Sequence, residues 1–173
     1  VPGDDNGNLY RGEGQANLDY RGESFDLYRP HYLKRSNGEA DDFSDIVDLC
    51  FRFSETADSE FSTTIEERID VNQWVEFFSV FGVLGSTENA IVLNNGDDYF
   101  LCHRLSDDRW VLYPWDLDSV FEEVQQVLFR PTVPSVVRFL QHPRYALRYW
   151  CKVQELIDGA FSTEVVDSRI DHL

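Results

Sequence analysis

The chain has 173 residues, of which 42% are hydrophobic and 14% aromatic, so it is long enough for one compact domain with a core. Its net charge of -17 would repel the phosphate backbone of nucleic acid and an anionic membrane surface. We therefore expect no nucleic-acid partner. No run of 18 apolar residues is present, so we also expect no membrane insertion. The chain starts at Val1 and contains no methionine, which we interpret as a fragment or a mature segment.

The first third of the chain changes from a strand-like to a helix-like pattern. Residues 1–40 are rich in Gly, Asp, Asn and Tyr, which predicts short strands and turns. Residues 41–54 have apolar side chains at helical spacing. Thr63 and Glu66 have the spacing of a capping box, which predicts the start of a short helix.

A central helix is predicted to begin at Asp70. The Asp70 side chain can accept from the amide three residues on, and Gln73 can reach back to complete a capping box. The apolar residues that follow cover most of the helix circumference, so we expect this to be the most buried helix, ending near Gly85. They are Trp74, Val75, Phe77, Phe78, Phe81 and Leu84.

Two short apolar runs predict a β-hairpin. Residues 99–102 and 110–113 are separated by the turn signal Ser106-Asp107-Asp108. After residue 134 the pattern is helical again, and Gly159 fits the end of one helix. A last helix is predicted to begin near Ser162.

The cysteines and histidines give no sign of a metal site. Cys50, Cys102 and Cys151 lack C-x-x-C spacing and lie in apolar runs, so we expect buried free thiols. The four histidines also lack ligand spacing, which favours surface or packing roles. They are His31, His103, His142 and His172.

Acidic and amide residues come from three separate segments that the hairpin should bring together. They follow the central helix at Glu88 and Asn89, precede the hairpin at Asn94, Asn95, Asp97 and Asp98, and follow it at Asp116 and Asp118. Because a hairpin returns the chain to its starting edge, we expect Asp98 and Asp116 to lie close together. Carboxylate and amide oxygens suit a hard cation such as magnesium. The alternative is that these acids lie in solvated turns.

The stretch Arg109-Trp-Val-Leu-Tyr-Pro-Trp-Asp-Leu-Asp118 resembles the Pro-Trp-Asp-Leu-Asp signature of the spore coat protein H family, the CotH kinases. Other segments resemble the family in the same order along the chain. They are residues 7–12, 32–34, 41–46, 98–101 and 148–162.

The resemblance implies an α+β, protein-kinase-like fold. Residues 1–173 would then be a partial domain, mainly the helical C-lobe with a short β-hairpin and an N-terminal strand and turn region. The family's upstream small-lobe segment is not found here, which leaves open whether this fragment is active by itself. An extracellular or cell-surface location is also implied.

The implied activity is transfer of the ATP γ-phosphoryl group to protein Ser or Thr hydroxyls with Mg²⁺ or Mn²⁺. Asp116, Asp98 and Asp118 would be metal ligands, and Asp116 would also be catalytic. From the residues alone, Asp116 could instead be a turn acid or helix cap, Asp98 a turn residue at the strand entry, and Asp118 the cap of a helix from Ser119.

The other implied site residues are an acid and two cations. Glu88 would orient the attacking hydroxyl, although a surface-loop acid fits it too. Lys34 and Arg11 would bind the nucleotide phosphates, although Lys34 could be an ordinary exposed strand lysine. Arg11, Glu88 and Asp98 depart from the family's Lys, Asp and Asn. These departures keep open a non-catalytic, pseudokinase-like surface or spore-coat binding protein.

Overall fold

The computed structural model describes residues 6–97, 99–122, 125 and 127–172, and this part of the chain has an α+β fold with four strands and seven α-helices. The strands are β1 (Asn8–Gly12), β2 (Tyr32–Lys34), β3 (Tyr99–Arg104) and β4 (Arg109–Pro114). The helices are α1 (Ser44–Glu55), α2 (Asp58–Arg68), α3 (Val71–Leu84), α4 (Ala90–Leu93), α5 (Pro134–Gln141), α6 (Pro143–Asp158) and α7 (Thr163–Ile170).

The four strands form one antiparallel sheet in the order β2-β1-β3-β4. The predicted hairpin is confirmed as β3 and β4, with Tyr99 opposite Pro114 and Arg104 opposite Arg109. The start of β3 and the end of β4 therefore lie side by side at one end of the sheet.

Alternation along the strands gives the sheet two different faces. Tyr10, Leu101 and Leu112 are directly paired neighbours on the face that packs into the core, and each is fully buried. Arg11 and Phe100 are paired on the opposite face, where both are partly exposed. Side chains on adjacent residues of β1 therefore lie on opposite faces of the sheet, one in the core and one partly exposed to solvent.

Helix α3 is the central helix, as the sequence predicts. Asp70 accepts a hydrogen bond from the Gln73 amide at 3.2 Å, and Gly85 ends the helix in the left-handed region with φ 65°. Eight of its residues are buried, more than in any other helix of the described part. The helix packs against α6 and β4, which explains why it is apolar on several sides.

The Gln73 side chain has a different role from the one predicted. Instead of reaching back to Asp70, its Nε2 donates to the Leu112 carbonyl at 2.5 Å and its Oε1 accepts from the Leu112 amide at 2.9 Å. Both backbone groups lie on the outer edge of β4. The amide therefore closes an edge that would otherwise present unpaired groups.

Two local predictions were wrong. Thr63 and Glu66 lie inside α2, which begins at Asp58, so they do not form a capping box. Cys151 is exposed, whereas Cys50 and Cys102 are buried free thiols as expected. Cys151 lies on the outer side of α6, since the helix buries Tyr149 and Val153 instead.

The C-terminal predictions are confirmed. Gly159 is the C-cap residue of α6, and the Ser162 side chain accepts from the Val165 amide at the start of α7. Across the described residues, no helix combines the length and apolar character needed to span a bilayer.

Candidate active site

Backbone and side-chain hydrogen bonds hold the loop after β4 against the segment after α3. The Thr87 amide donates to the Ser119 carbonyl at 3.0 Å, and the Phe121 amide donates to the Leu84 carbonyl at 2.9 Å. The Ser86 and Ser119 hydroxyls lie 3.2 Å apart in the buried layer beneath. These contacts join two of the three predicted segments.

The segment before β3 packs on the same place. A Cβ added to Gly96 would lie 2.7–2.8 Å from the Glu88 backbone and Cβ, and Gly96 has φ +83°. Only glycine permits this approach in this conformation. The structure therefore brings together the Glu88 segment, the loop before β3 and the loop after β4, as the sequence predicts.

Asp116 begins the loop after β4 in an unusual backbone conformation. It is exposed and lies in the left-handed region, with φ 48° and ψ 66°. Asp and Asn are the side chains that enter this region most readily after glycine. Asp116 is the N-cap residue of the short 3₁₀ turn Leu117–Ser119, but within this described loop its side chain makes no capping hydrogen bond.

Asp118 and Glu88 are also exposed. Asp118 lies within the 3₁₀ turn, and no α-helix begins at Ser119 in the described residues, so the helix-cap interpretation of Asp118 was wrong. Glu88 directly precedes Asn89, which is buried and caps α4 by accepting from the Val92 amide. The Glu88 carboxylate is thus carried by a fixed backbone and open to solvent.

Asn89 is the most unusual polar side chain beneath these loops. It is 1% exposed, and its Nδ2 has no hydrogen-bond partner among the described residues. Asn89 lines a cavity of about 10 Å³ together with Ser86 and Tyr149. That volume holds about one water molecule, which is the simplest partner for the amide.

Arg11 lies at the same end of the sheet and is engaged by two carboxylates. It forms an ion pair with Asp97, and its Nε lies 3.2 Å from Glu13 Oε1. Its strand partner Phe100 packs edge-on against Trp115, the residue before Asp116, with ring centroids 5.1 Å apart. Arg11 therefore lies on the same face of the sheet as Phe100, near the point where the Asp116 loop begins.

Lys34 is not brought to this position. It pairs with Tyr10 and so shares the face opposite to that of Arg11. Its ammonium group donates to the carbonyls of Ala40 at 3.2 Å and Asp42 at 2.7 Å, and it lies 5.8 Å from the Tyr10 ring centroid. The expectation that Lys34 and Arg11 hold the same phosphates conflicts with this alternation of the strands.

Asp98 lies outside the described residues, so its expected closeness to Asp116 stays a prediction. Its neighbour Tyr99 pairs with Pro114, two residues before Asp116. Among the residues that the structure describes, no three His, Cys, Asp or Glu side chains are grouped closely enough to hold a metal ion.

The comparison with family models decides the relationship. The model described as CotH kinase protein matches residues 2–173. The chain belongs to the CotH kinase family. No match to a curated protein was found.

Within this CotH domain, the oxygen donors suit the magnesium–nucleotide complex that the family suggests. Asp116 and Asp118 present exposed carboxylates on one short loop, and a backbone hydrogen bond from Thr87 to Ser119 joins this loop to the segment that carries Glu88. Magnesium binds through one or two carboxylates and shares its other positions with water and phosphate oxygens. A full cage of protein ligands is therefore not required for a fit.

The sequence pattern assigns no individual role to Asp97 and does not reveal the contacts of Ser119 in this CotH domain. Asp97 holds Arg11, and Ser119 accepts from Thr87. The acidic run before β3 marked Asp97 as a member of the cluster. Nothing in the local pattern indicates which acid pairs with a strand arginine far away in sequence.

Proposed function

We propose that this CotH domain has a protein-kinase-like fold and transfers the γ-phosphoryl group of ATP to Ser or Thr hydroxyls of a protein substrate. The observation that carries the proposal is the backbone of Asp116. The left-handed conformation costs a residue other than glycine about 1–3 kcal/mol, and Asp116 adopts it just after the exposed end of β4. Such strain often occurs at functional positions. Five other described residues besides glycine also have a positive φ, and Asp116 is the one that lies in the family's signature stretch.

The proposed division of roles follows from the three joined loops. Asp116 and Asp118, with Asp98, would hold Mg²⁺ or Mn²⁺. The bound ion supplies positive charge that neutralises the phosphate oxygens. Glu88 would accept a hydrogen bond from the attacking hydroxyl and orient it, because it is exposed and its segment is hydrogen-bonded to the Asp116 loop.

Arg11 is the cation that we assign to the nucleotide phosphates. Its guanidinium has five N–H donors, and the contacts with Asp97 and Glu13 engage only part of them. Phosphate can therefore bind beside these carboxylates or replace one of them. Lys34 is left out of this role because its ammonium binds backbone carbonyls on the other face.

The pairing of Arg11 also supports a second candidate function. With Asp97 and Glu13 on its guanidinium, the positive charge of Arg11 is already compensated, and Lys34 is engaged elsewhere. This arrangement, with no unengaged cation for phosphate at Arg11 or Lys34, suits a pseudokinase-like domain that binds a protein partner without transferring phosphate. An extracellular or cell-surface location is proposed for either function, and only the family resemblance supports it.

The direct test is incorporation of phosphate from γ-labelled ATP into a general protein acceptor, with and without Mg²⁺. We expect magnesium-dependent labelling of Ser or Thr. Glu88→Gln should lower transfer at least tenfold, as is usual for loss of a group that handles a proton, while nucleotide binding persists. Glu67→Gln, an exposed change on α2, is the matched control.

The two functions predict different results in this assay. Nucleotide binding without labelling by the 173-residue chain would favour the pseudokinase-like function. Equal labelling by the wild type and Glu88→Gln would remove Glu88 from the proposed mechanism.

A further inference from the structure

His103 connects three parts of the fold through both of its ring nitrogens. Its Nδ1 lies 3.1 Å from Asp45 Oδ2 on α1, and its Nε2 lies 2.9 Å from Asp108 Oδ1 in the β3–β4 turn. The ring stacks on Trp110 of β4, with centroids 4.5 Å apart and planes 9° from parallel. Ring orientation is therefore fixed by packing as well as by the two carboxylates.

The protonation state follows from the donor count. A neutral imidazole has one N–H donor and one lone pair, whereas the imidazolium has two donors. A carboxylate oxygen has no hydrogen to offer, so only the imidazolium can bond to Asp45 and Asp108 together. With a neutral ring, one of the two contacts becomes a repulsion between lone pairs.

We propose that protonated His103 is a pH-sensitive staple, that is, a link between Asp45 of α1 and Asp108 of the β3–β4 turn. Loss of its proton keeps the contact with Asp45 but releases Asp108 and the turn. Neither the candidate active site nor the proposed kinase function enters this inference.

The surroundings of the two carboxylates decide which contact breaks. Asp45 is fixed from β1, because Asn8 Nδ2 and Tyr10 OH each donate to it at 2.7 Å, and it also accepts from the Ile46 amide. The Asp108 side chain is 60% exposed, so water can replace the imidazole there. The surviving tautomer should therefore carry its proton on Nδ1.

The other charged and titratable groups around His103 belong to α2, β2 and β1. Arg68 of α2 forms an ion pair with Asp108, and Lys34 of β2 lies over the Tyr10 ring. Burial, together with the nearby Asp45 and Asp42, raises the pKa of Tyr10, so this phenol stays protonated.

The two central pKa shifts agree with the geometry. Burial alone would lower the pKa of His103, but its hydrogen bonds to Asp45 and Asp108 raise it above the usual value. Burial alone would raise the pKa of Asp45, but hydrogen bonds from His103, Tyr10 and Asn8 hold it below the usual value. Stability from the staple is thus complete below about pH 6.5 and is lost as the pH rises through the folded-state pKa of His103.

The test combines an NMR titration of the histidine rings with denaturant unfolding from pH 5 to 9. The His103 signals are assigned by their loss in His103→Gln. We expect His103 to titrate above 6.5 and to become the Nδ1–H tautomer. The folding equilibrium constant of the wild type, relative to His103→Gln, should fall about tenfold for each unit by which the pKa is raised.

Two turn variants make the test specific and do not depend on the stability of His103→Gln. Asp108→Asn should lower the titration midpoint of His103, because one of its two carboxylates is removed. Asp107→Asn should leave the midpoint unchanged, since Asp107 pairs with Arg104. A midpoint at or below 6.5, an Nε2–H tautomer, or equal midpoints in Asp108→Asn and the wild type would each overturn the proposal.

Discussion

The amide of Thr87 donates to the carbonyl of Ser119 at 3.0 Å, which joins the segment after α3 to the loop that carries Asp116 and Asp118. The Thr87 hydroxyl adds a second link by donating to Glu122 Oε2 at 2.5 Å. Because Glu88 follows Thr87 directly, the two acidic segments cannot move independently. The spacing of the candidate site is therefore set by backbone contacts beneath it.

Gly96→Ala tests how closely the loop before β3 packs on Glu88. The new Cβ would meet backbone atoms at 2.7–2.8 Å in a conformation with φ +83°. We expect a loss of more than about 1 kcal/mol in the free energy of unfolding. Urea unfolding gives this value.

Gly38→Ala is the matched control, because a Cβ there would have no heavy atom within 4 Å. Equal stabilities of the two variants would show that the Gly96 loop does not rest on Glu88 in solution.

Trp74→Ala tests the position of the core. Trp74 is fully buried, stacks on Phe53 and donates its Nε1 hydrogen to the Trp110 carbonyl at 2.8 Å. We expect the free energy of unfolding to fall by about 3–5 kcal/mol, because the substitution leaves a large cavity. Leu147→Ala, at a position that is 72% exposed, should change it by less than about 0.5 kcal/mol. Similar values for both variants would place the core elsewhere.

Gln73→Ala tests the closure of the β4 edge. The variant loses both hydrogen bonds to Leu112 and leaves backbone groups to find water. We expect a destabilisation of about 1–3 kcal/mol and faster exchange of the Leu112 amide hydrogen. Asn72→Ala, on the exposed side of the same turn, is the control. An unchanged exchange rate at Leu112 would contradict this account of the edge.

Asp97→Asn tests the proposed phosphate role of Arg11. Removal of one negative charge beside the guanidinium should tighten ATP binding about threefold, the effect of one charge at about 6 Å in water. Titration calorimetry at fixed Mg²⁺ measures the Kd. Asp107→Asn, at the other end of the hairpin, should leave it unchanged. Weaker ATP binding in Asp97→Asn would mean that Asp97 positions Arg11 for the ligand.

Features determined by neighbouring residues could be predicted from the sequence. The start of α3 at Asp70 and its end at Gly85 were predictable because both residues act through local backbone geometry. The hairpin was predictable from the turn residues between its two apolar runs. The capping box predicted at Thr63 was wrong because that prediction also used only neighbouring residues, and the spacing of Thr63 and Glu66 also occurs inside a helix. A local pattern cannot distinguish the two cases unless the preceding residues are known to be helical.

Features determined by distant contacts could not be predicted. Lys34 and Arg11 each follow an apolar strand residue, and only the register of β1 against β2 puts them on opposite faces. His103 contacts Asp45, 58 positions earlier, through a pairing that depends on how α1 packs over the sheet. The closeness of the loops before β3 and after β4 was predictable, because the hairpin itself brings its two ends together.

Asp116→Asn gives the most direct test of the central claim, that the loop after β4 binds a magnesium–nucleotide complex. Asn tolerates the left-handed backbone as well as Asp does, so the substitution removes the charge without adding strain. Calorimetric titration of wild type and variant with ATP, with and without Mg²⁺, is the measurement. We predict saturable, magnesium-dependent binding that is lost in Asp116→Asn, while the free protein is equally or more stable. Unchanged ATP binding together with lower stability of the free variant would contradict the account and make Asp116 a structural residue of the turn.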